Sequence, residues 1–441
     1  MKPQFLVSAV ASGSGKTFLT QVLAMALMRR GMKVQLFKSG PDVADTQFHT
    51  ITSESESYNL DPWLSSHNHL KYVYNSYGES ADICIVEGNG GLFDGYRRMS
   101  GSGADVSQLL GIPVILVVNA RMSSYSLAPT LYGFRSFRRN VRVAGVIFNN
   151  VTSVSQYSFL REVARDAGLE CLGYVPADEA IQSVQRNAVV TQNLRQQIVE
   201  SVERACISAE KFLNIDKLLN IATSIFPCEY SLPFTSEVES DNISVTYRSR
   251  IKIAIARDPA FCLPYRENID RLSALGEIVY FSPVNSRTLP QADLLYLPDG
   301  YIEQFARQLH RRRQMLKEIK QFADRGGKII AEGGSLCLLS QSVVLRRGGT
   351  SYQMAGIFPF HISMDTARLQ SGLRKVEIGS IQLHGYECRY AEITNSEALQ
   401  SYAEIQNFRG YLTGSSVYRN QNVIASFTRW YWGEHDIMSL F

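Results

Sequence analysis

The sequence predicts an α/β protein of two units, a P-loop parallel-sheet unit followed by a smaller α/β unit. Three observations carry this expectation. Short apolar runs alternate with helix-period segments over residues 1–225; a Gly-Ser loop separates the first run from the first helix; and the periodicity stops over 226–249 and then restarts. A chain of 441 residues also exceeds what one hydrophobic core organises, so two domains are expected, 1–225 and 250–441, joined by a linker at 226–249.

In chain order, the strand-like runs of the first domain are "FLVSAV", "KVQLFKSG", "ADICIVEG", "IPVILVVN" and "VAGVIFNN". Each is a continuous apolar segment ending in small or polar residues. Such segments, separated by helices, belong to a parallel sheet covered on both faces, with ligands at the carboxyl ends of the strands. The linker "FPCEYSLPFTSEVESDNISVTYRS" loses the pattern and gathers Pro, Ser, Glu and Asp. Beyond it, "IKIAIARD", "EIVYFSPV", "DLLYLPDG", one helix around 303–325 and "KIIAEGG" begin the second α/β pattern.

Lysine and arginine total 45 against 41 acidic residues, and this formal charge of +4 argues against nucleic acid or an anionic membrane as partner. No apolar stretch reaches the ~20 residues of a membrane span. "FLVSAVA" runs straight into "SGSGKT" without a cleavage region and reads as a buried first strand rather than a signal peptide. Seven cysteines, scattered singly and without CxxC, suit a reducing cytoplasm better than a disulfide framework or a zinc site.

The strongest chemical signal is "VSAVASGSGKTFLTQVLAMALMRRG", a strand, a Gly-Ser loop and a helix starting near Lys16. Glycines let backbone N–H groups converge on phosphate oxygens, and the helix N-terminus adds a favourable dipole. Ser12, Gly13, Ser14, Gly15, Lys16, Thr17 and Phe18 are the expected ATP contacts, with Lys16 on the β/γ-phosphates and the Thr17 hydroxyl on Mg²⁺. Val10 stands where the strict P-loop pattern has glycine, so the loop is a variant. Asp42 and Asp45 follow the second strand in "FKSGPDVADTQFHT", and Glu87 and Asp94 flank the glycine-rich turn of "IVEGNGGLFDG". Four carboxylates at neighbouring strand ends hold Mg²⁺, position a nucleotide or orient a substrate.

With "SGSGKT", "KSGPDVAD", "NLDPW", "EGNGGLFDG", "FCLPYRENID", "LYLPDGYIE" and "MAGIFPF", the chain resembles the cobyrinic acid a,c-diamide synthases along nearly its whole length. The nickel-sirohydrochlorin a,c-diamide synthases share fold, motifs and reaction type. The resemblance implies a dethiobiotin-synthetase-like P-loop domain followed by a class I glutamine-amidotransferase-like domain. It also implies ATP- and Mg²⁺-dependent amidation of the a- and c-acetate carboxylates of a corrin-type tetrapyrrole through an acyl phosphate. Lys16, Asp42, Asp45, Glu87 and Asp94 then serve catalysis, and Thr17, Asp45 and Glu87 the metal. Asp94 is expected near the substrate or the incoming ammonia.

In the second domain the family elbow reads Ala-Glu-Cys-Gly-Gly-Leu, whereas here Ala331 to Leu336 read Ala-Glu-Gly-Gly-Ser-Leu. Gly333 replaces the nucleophile, and Cys337 lies one helical turn further on. Arg429 and Tyr431 in "IASFTRWYW" stand where the family has histidine, as do Tyr386 and Arg389 in "HGYECRY". "LPDGY" replaces a glycine run that supplies backbone donors. Glutamine hydrolysis needs a thiolate and a base, so ammonia, free or from a separate glutaminase, is the expected nitrogen donor. "SVQRNAV" keeps only Arg186 of a Pro-Ser-Arg-His-like family run, which leaves open a non-catalytic nucleotide- and tetrapyrrole-binding relative. A ParA-like ATPase is a weaker alternative, and a homodimer is an open assembly.

Overall fold

A computed structural model describes residues 1–121, 124–177, 189–229, 251–345, 349–365, 368–395 and 401–441. The chain divides into two compact units, Met1–Ser236 and Glu237–Phe441.

The first unit begins with β1 (Lys2–Ala9), α1 (Lys16–Arg29), β2 (Val34–Ser39), α2 (Ala44–Ser53), β3 (Tyr58–Leu60) and α3 (His67–Gly78). There follow β4 (Ile83–Glu87), α4 (Gly103–Leu110), β5 (Val114–Asn119), α5 (Leu127–Ser136) and β6 (Val143–Val151). It closes with α6 (Val154–Asp166), β7 (Glu170–Pro176), α7 (Gln192–Phe212), α8 (Ile215–Ala222) and the short β8 (Thr223–Ser224). The sheet order is β3-β2-β4-β1-β5-β6-β7, with β8 antiparallel on the start of β1 and the other pairs parallel.

Both sheet faces are covered, which is why the strands read as continuous apolar runs. On one face Leu19, Val22, Leu23 and Leu27 of α1 pack with Phe5, Val7, Ile85 and Ile115. Their spacing is that of one helical stripe. On the other face Leu6, Val86, Leu116 and Phe148 meet Leu70, Val73 and Tyr74 of α3 and Val106 of α4. Helix ends follow local chemistry: Ser102 Oγ accepts from the Asp105 N–H (3.3 Å) at the start of α4, and Gly111 ends it at φ 68°.

In the second unit β9 (Ile251–Ala256), α9 (Arg266–Leu275), β10 (Gly276–Phe281), β11 (Leu294–Leu297), α10 (Ile302–Arg311), α11 (Arg313–Asp324), β12 (Lys328–Glu332) and α12 (Ser335–Leu339) come first. Ten strands follow: β13 (Ser342–Val344), β14 (Ser351–Gln353), β15 (His361–Ser363), β16 (Gln370–Ile378), β17 (Ile381–Arg389), β18 (Glu392–Thr394), β19 (Ala403–Asn407), β20 (Leu412–Asn420), β21 (Val423–Ser426) and β22 (Thr428–Tyr431). One sheet runs β10-β9-β11-β12-β21-β20-β19-β16-β17-β22. It is parallel from β10 to β21 and antiparallel beyond, and β14-β13-β15-β18 form a second sheet.

Two expectations need correction. The helix expected around 303–325 is two helices, α10 and α11, broken at Arg312 (φ −84°, ψ 50°). The Arg312 guanidinium donates to the Ser286 carbonyl at the break. The expected linker also starts too early. Phe226 lies under the Lys2 ammonium, 3.5 Å from its ring centroid, and Asn75 exchanges two hydrogen bonds with the Cys228 backbone, 2.8 and 3.0 Å. Phe226 to Cys228 therefore belong to the first unit, and linker residues 230–249 lie outside the described residues, as do 183–188, Arg186 included. Among the described residues no helix is long and apolar enough to cross a membrane.

Candidate active site

The loop between β1 and α1 is built for close backbone approach. Gly13 and Gly15 hold φ of 80° and 92°, a region costly for any residue with a Cβ. At Gly15 the space is also taken, since a Cβ there would stand 2.2 Å from Asn149 Nδ2. Asn149, at the end of β6, donates from that nitrogen to the Ser14 carbonyl (3.1 Å), while the Ser14 hydroxyl donates to the Ala11 carbonyl (2.8 Å). Lys16 is 3% exposed.

Next to this loop lies a buried charge cluster assembled by sheet register. Lys38, on β2, pairs in register with Glu87, on β4. Its Nζ is 3.0 Å from Glu87 Oε1 and 2.6 Å from Asp45 Oδ2, with all three side chains at most 2% exposed. Glu87 Oε1 also accepts from the Thr17 hydroxyl (2.5 Å). Its other oxygen, Oε2, is 2.7 Å from His49 Nε2, and His49 Nδ1 is 2.9 Å from Ser57 Oγ. Burial alone would discharge the Lys38 ammonium, but Glu87, Asp45 and Asp42 outweigh it and hold its pKa above the ordinary lysine value. Burial likewise opposes charge on Glu87, yet Lys38, His49 and Thr17 together keep its pKa below the usual carboxylate range. Lys38 and Glu87 therefore both carry their charge, with the Asp45 carboxyl group on the other side of the ammonium.

The remaining predicted residues divide. Asp42 Oδ1 accepts from the Ala44 N–H (2.8 Å), shaping the turn into α2, and the Asn59 amide donates to the carbonyls of Asp42 (2.8 Å) and Gly40 (2.9 Å). Asp94 is exposed and accepts from the Gly91 N–H within its own glycine-rich turn, 2.7 Å. That turn reaches the phosphate loop, because Leu92 N–H donates to the Ala9 carbonyl (2.9 Å). The register thus brings Thr17, Asp45 and Glu87 into one connected group, while Asp42 and Asp94 order the adjoining loops.

Residue-by-residue reading missed Lys38, His49 and Asp61. Asp61, in "NLDPW", is buried at the end of β3, and burial pushes its carboxyl up to about 6 against the Trp63 and Leu64 backbone donors. Lys38, next to last in β2, gave no local signal, because its partner on β4 is set by the pairing of the two strands.

A hydroxyl and two carboxylates form an all-oxygen donor set suited to Mg²⁺, which takes few protein ligands and completes its shell with water and phosphate oxygens. Among the described residues there is no group of three or more His, Cys, Asp or Glu side chains that could hold a metal by itself. The loop and the Thr17–Glu87–Asp45 set fit Mg²⁺ accompanied by a nucleotide.

In the second unit β12 runs into the elbow. Gly333 has φ 57°, and a Cβ there would meet the Asp299 carboxyl at 2.0 Å. Asp299 Oδ1 accepts from the N–H groups of Gly300 (2.8 Å) and Gly334 (2.7 Å), and Oδ2 lies 3.3 Å from Arg429 NH1. Burial pushes Asp299 up, with Arg429 acting against that. Cys337 is 1% exposed on α12, and burial raises its thiol pKa, so it is a core residue. Tyr431 donates to Glu267, and the His435 N–H donates to the Trp432 carbonyl (2.9 Å). Arg389 and Arg374 clasp buried Glu387 at 2.7 and 2.9 Å.

Sequence comparison agrees with this division. Residues 3–185 match a family model described as an AAA domain, and residues 252–436 match the CobB/CobQ-like glutamine amidotransferase domain. A P-loop unit joined to an amidotransferase-like unit defines the class, that of ATP-dependent amide-forming ligases. The cobyrinate a,c-diamide synthase of Methanosarcina barkeri is 35% identical over 84% of this chain and 79% of its own length. The enzyme of the same name from Priestia megaterium is 30% identical over 98% of this chain and 94% of its own. The chain belongs to the cobyrinate a,c-diamide synthase family.

Proposed function

We propose that the chain amidates the a- and c-acetate carboxylates of cobyrinic acid, or of a closely related corrin-type acid, using ATP, Mg²⁺ and ammonia. A carboxylate is a poor acceptor for ammonia. ATP supplies a phosphoryl group that turns it into a mixed anhydride, and Mg²⁺ supplies positive charge against the phosphate oxygens. One carboxylate oxygen bonds to the γ-phosphorus as the bond to ADP breaks; ammonia then attacks the acyl carbon, and phosphate leaves with that oxygen.

In this reading the 12–18 loop holds the triphosphate and Lys16 neutralises it. Thr17, Asp45 and Glu87 hold the metal, Lys38 keeps those carboxylates charged and placed, and Asp42 and Asp94 set the loops that meet the acid. The protein acts by alignment and charge neutralisation. The dispersed free cysteines suit a cytoplasmic setting.

The observation that carries the choice of nitrogen donor is the elbow, where a glycine replaces a nucleophile and the Asp299 carboxyl fills the space. Without a thiolate or a histidine base there, glutamine has no route to ammonia. The test is the purified protein with ATP, Mg²⁺ and cobyrinic acid, supplied with ammonium or with glutamine and read by mass spectrometry. Diamide from ammonium alone is expected. Diamide from glutamine alone overturns the choice of donor, and no diamide from either overturns the ligase reading.

A further inference from the structure

We propose that Asp299 is a resident ligand of the elbow: its carboxylate fills the cradle made by the Gly300 and Gly334 N–H groups and the Arg429 guanidinium. It thereby excludes both a side chain at position 333 and a small carboxylate or carboxamide from outside. This deepens the reading of the second unit as lacking glutamine hydrolysis and rests on it. The readouts below do not involve amide formation, so the two fail separately.

Convergent backbone N–H groups from two segments are what stabilises a developing oxyanion at an acyl-transfer centre. Here Gly300, after β11, and Gly334, after β12, both donate to Asp299 Oδ1, at 2.8 and 2.7 Å. Both donors are consumed by a carboxylate the chain carries itself. Arg429 supplies the counter-charge at 3.3 Å and lies over the Tyr265 ring, 5.1 Å from its centroid. Arg429 and Asp299 are 6% and 14% exposed as side chains, so the pair is shielded from solvent. The steric point is independent. At Gly333 an added Cβ would stand 2.0 Å from Asp299 Oδ1 and Cγ and 2.6 Å from its Cβ, too many atoms of one short side chain for a small adjustment. An aspartate at 299 in this orientation and a nucleophile at 333 are mutually exclusive. The missing thiol and the gained carboxylate are one coupled change.

The proposal is tested in the full-length chain by a mutant cycle read as urea unfolding at pH 7. The left-handed backbone penalises Gly333→Ala on every background, so it cancels, whereas the clash with Asp299 does not. The alanine penalty is expected to be about tenfold smaller in the unfolding equilibrium constant on an Asp299→Gly background than on wild type. Equal penalties overturn the proposal. Asp299→Ser, which keeps an oxygen near the donors and removes the carboxylate, serves the same cycle where the glycine variant does not fold. In the second arm, sodium acetate replaces sodium chloride at equal ionic strength. Acetate is expected to raise the unfolding midpoint of Asp299→Gly (or of Asp299→Ser) and leave wild type unmoved. An unresponsive variant, or a wild type that responds equally, overturns it.

Discussion

Replacing Lys38 with methionine keeps most of the side-chain volume and removes the cation between Asp45 and Glu87. Both carboxylates are then left buried, Glu87 with Thr17 and His49 still bonded to it. Removing one partner of a buried ion pair costs about 3–5 kcal/mol, because the stranded charge stays desolvated. At about 1.4 kcal/mol per factor of ten, that is roughly 10²- to 10⁴-fold in the folding equilibrium. The assay is urea unfolding of wild type and Lys38→Met across a pH series. Glu87 has its folded pKa lowered by its partners, so its stabilisation is present above the unfolded value and is lost as pH falls through the folded one. The deficit of the variant is therefore largest at neutral pH and narrows on acidification, as protonation discharges the stranded carboxylates. A deficit below about 1 kcal/mol at pH 7, or one that widens in acid, refutes the account of the cluster as a buried, ionised unit.

Burial raises Glu332 to about 8, so its contribution is full below the unfolded carboxylate range and is lost as pH climbs through 8. Glu332→Gln should flatten the fall in unfolding midpoint between pH 6 and 9, and unchanged slopes would count against the raised pKa. Gly15→Ala adds a Cβ 2.2 Å from Asn149 Nδ2 at a φ of 92°, so binding of a fluorescent ATP analogue should drop sharply, and near-normal binding would contradict the loop geometry. Lys16→Ala should lower amide formation about 10²–10³-fold, the usual effect of losing one preorganised charged donor. Near-normal turnover would displace the phosphate site.

Glycines and carboxylates at the ends of β1, β2 and β4 were legible in the sequence, because an apolar run stopped by small polar residues marks a strand mouth. Thr17, Asp45 and Glu87 could be grouped on that ground. Lys38 could not. A lysine closing a strand reads as solvated, and its burial depends on the pairing of β2 with β4, a relation between residues 38 and 87 that no local pattern encodes. Asp94 shows the converse: its motif grouped it with the other acids, but its carboxylate holds the Gly91 turn. At the elbow, the substitution in "LPDGY" was visible as a lost glycine. That its side chain fills the space over Gly333 follows only from β11 and β12 lying side by side. The helix around 303–325 had continuous helical periodicity, and nothing in that periodicity announces the break at Arg312.

The pairing of Lys38 with Glu87 also has a meaning for assembly of the sheet. If β2 slipped one residue against β4, Phe37 or Ser39 would face Glu87, and an ammonium would be stranded among apolar neighbours. Misaligned sheets are thus penalised by a buried, unpaired charge as well as by lost apolar packing. Any molecule that has paired β2 with β4 correctly has, by that fact, already set the Lys38 ammonium against the Glu87 carboxylate.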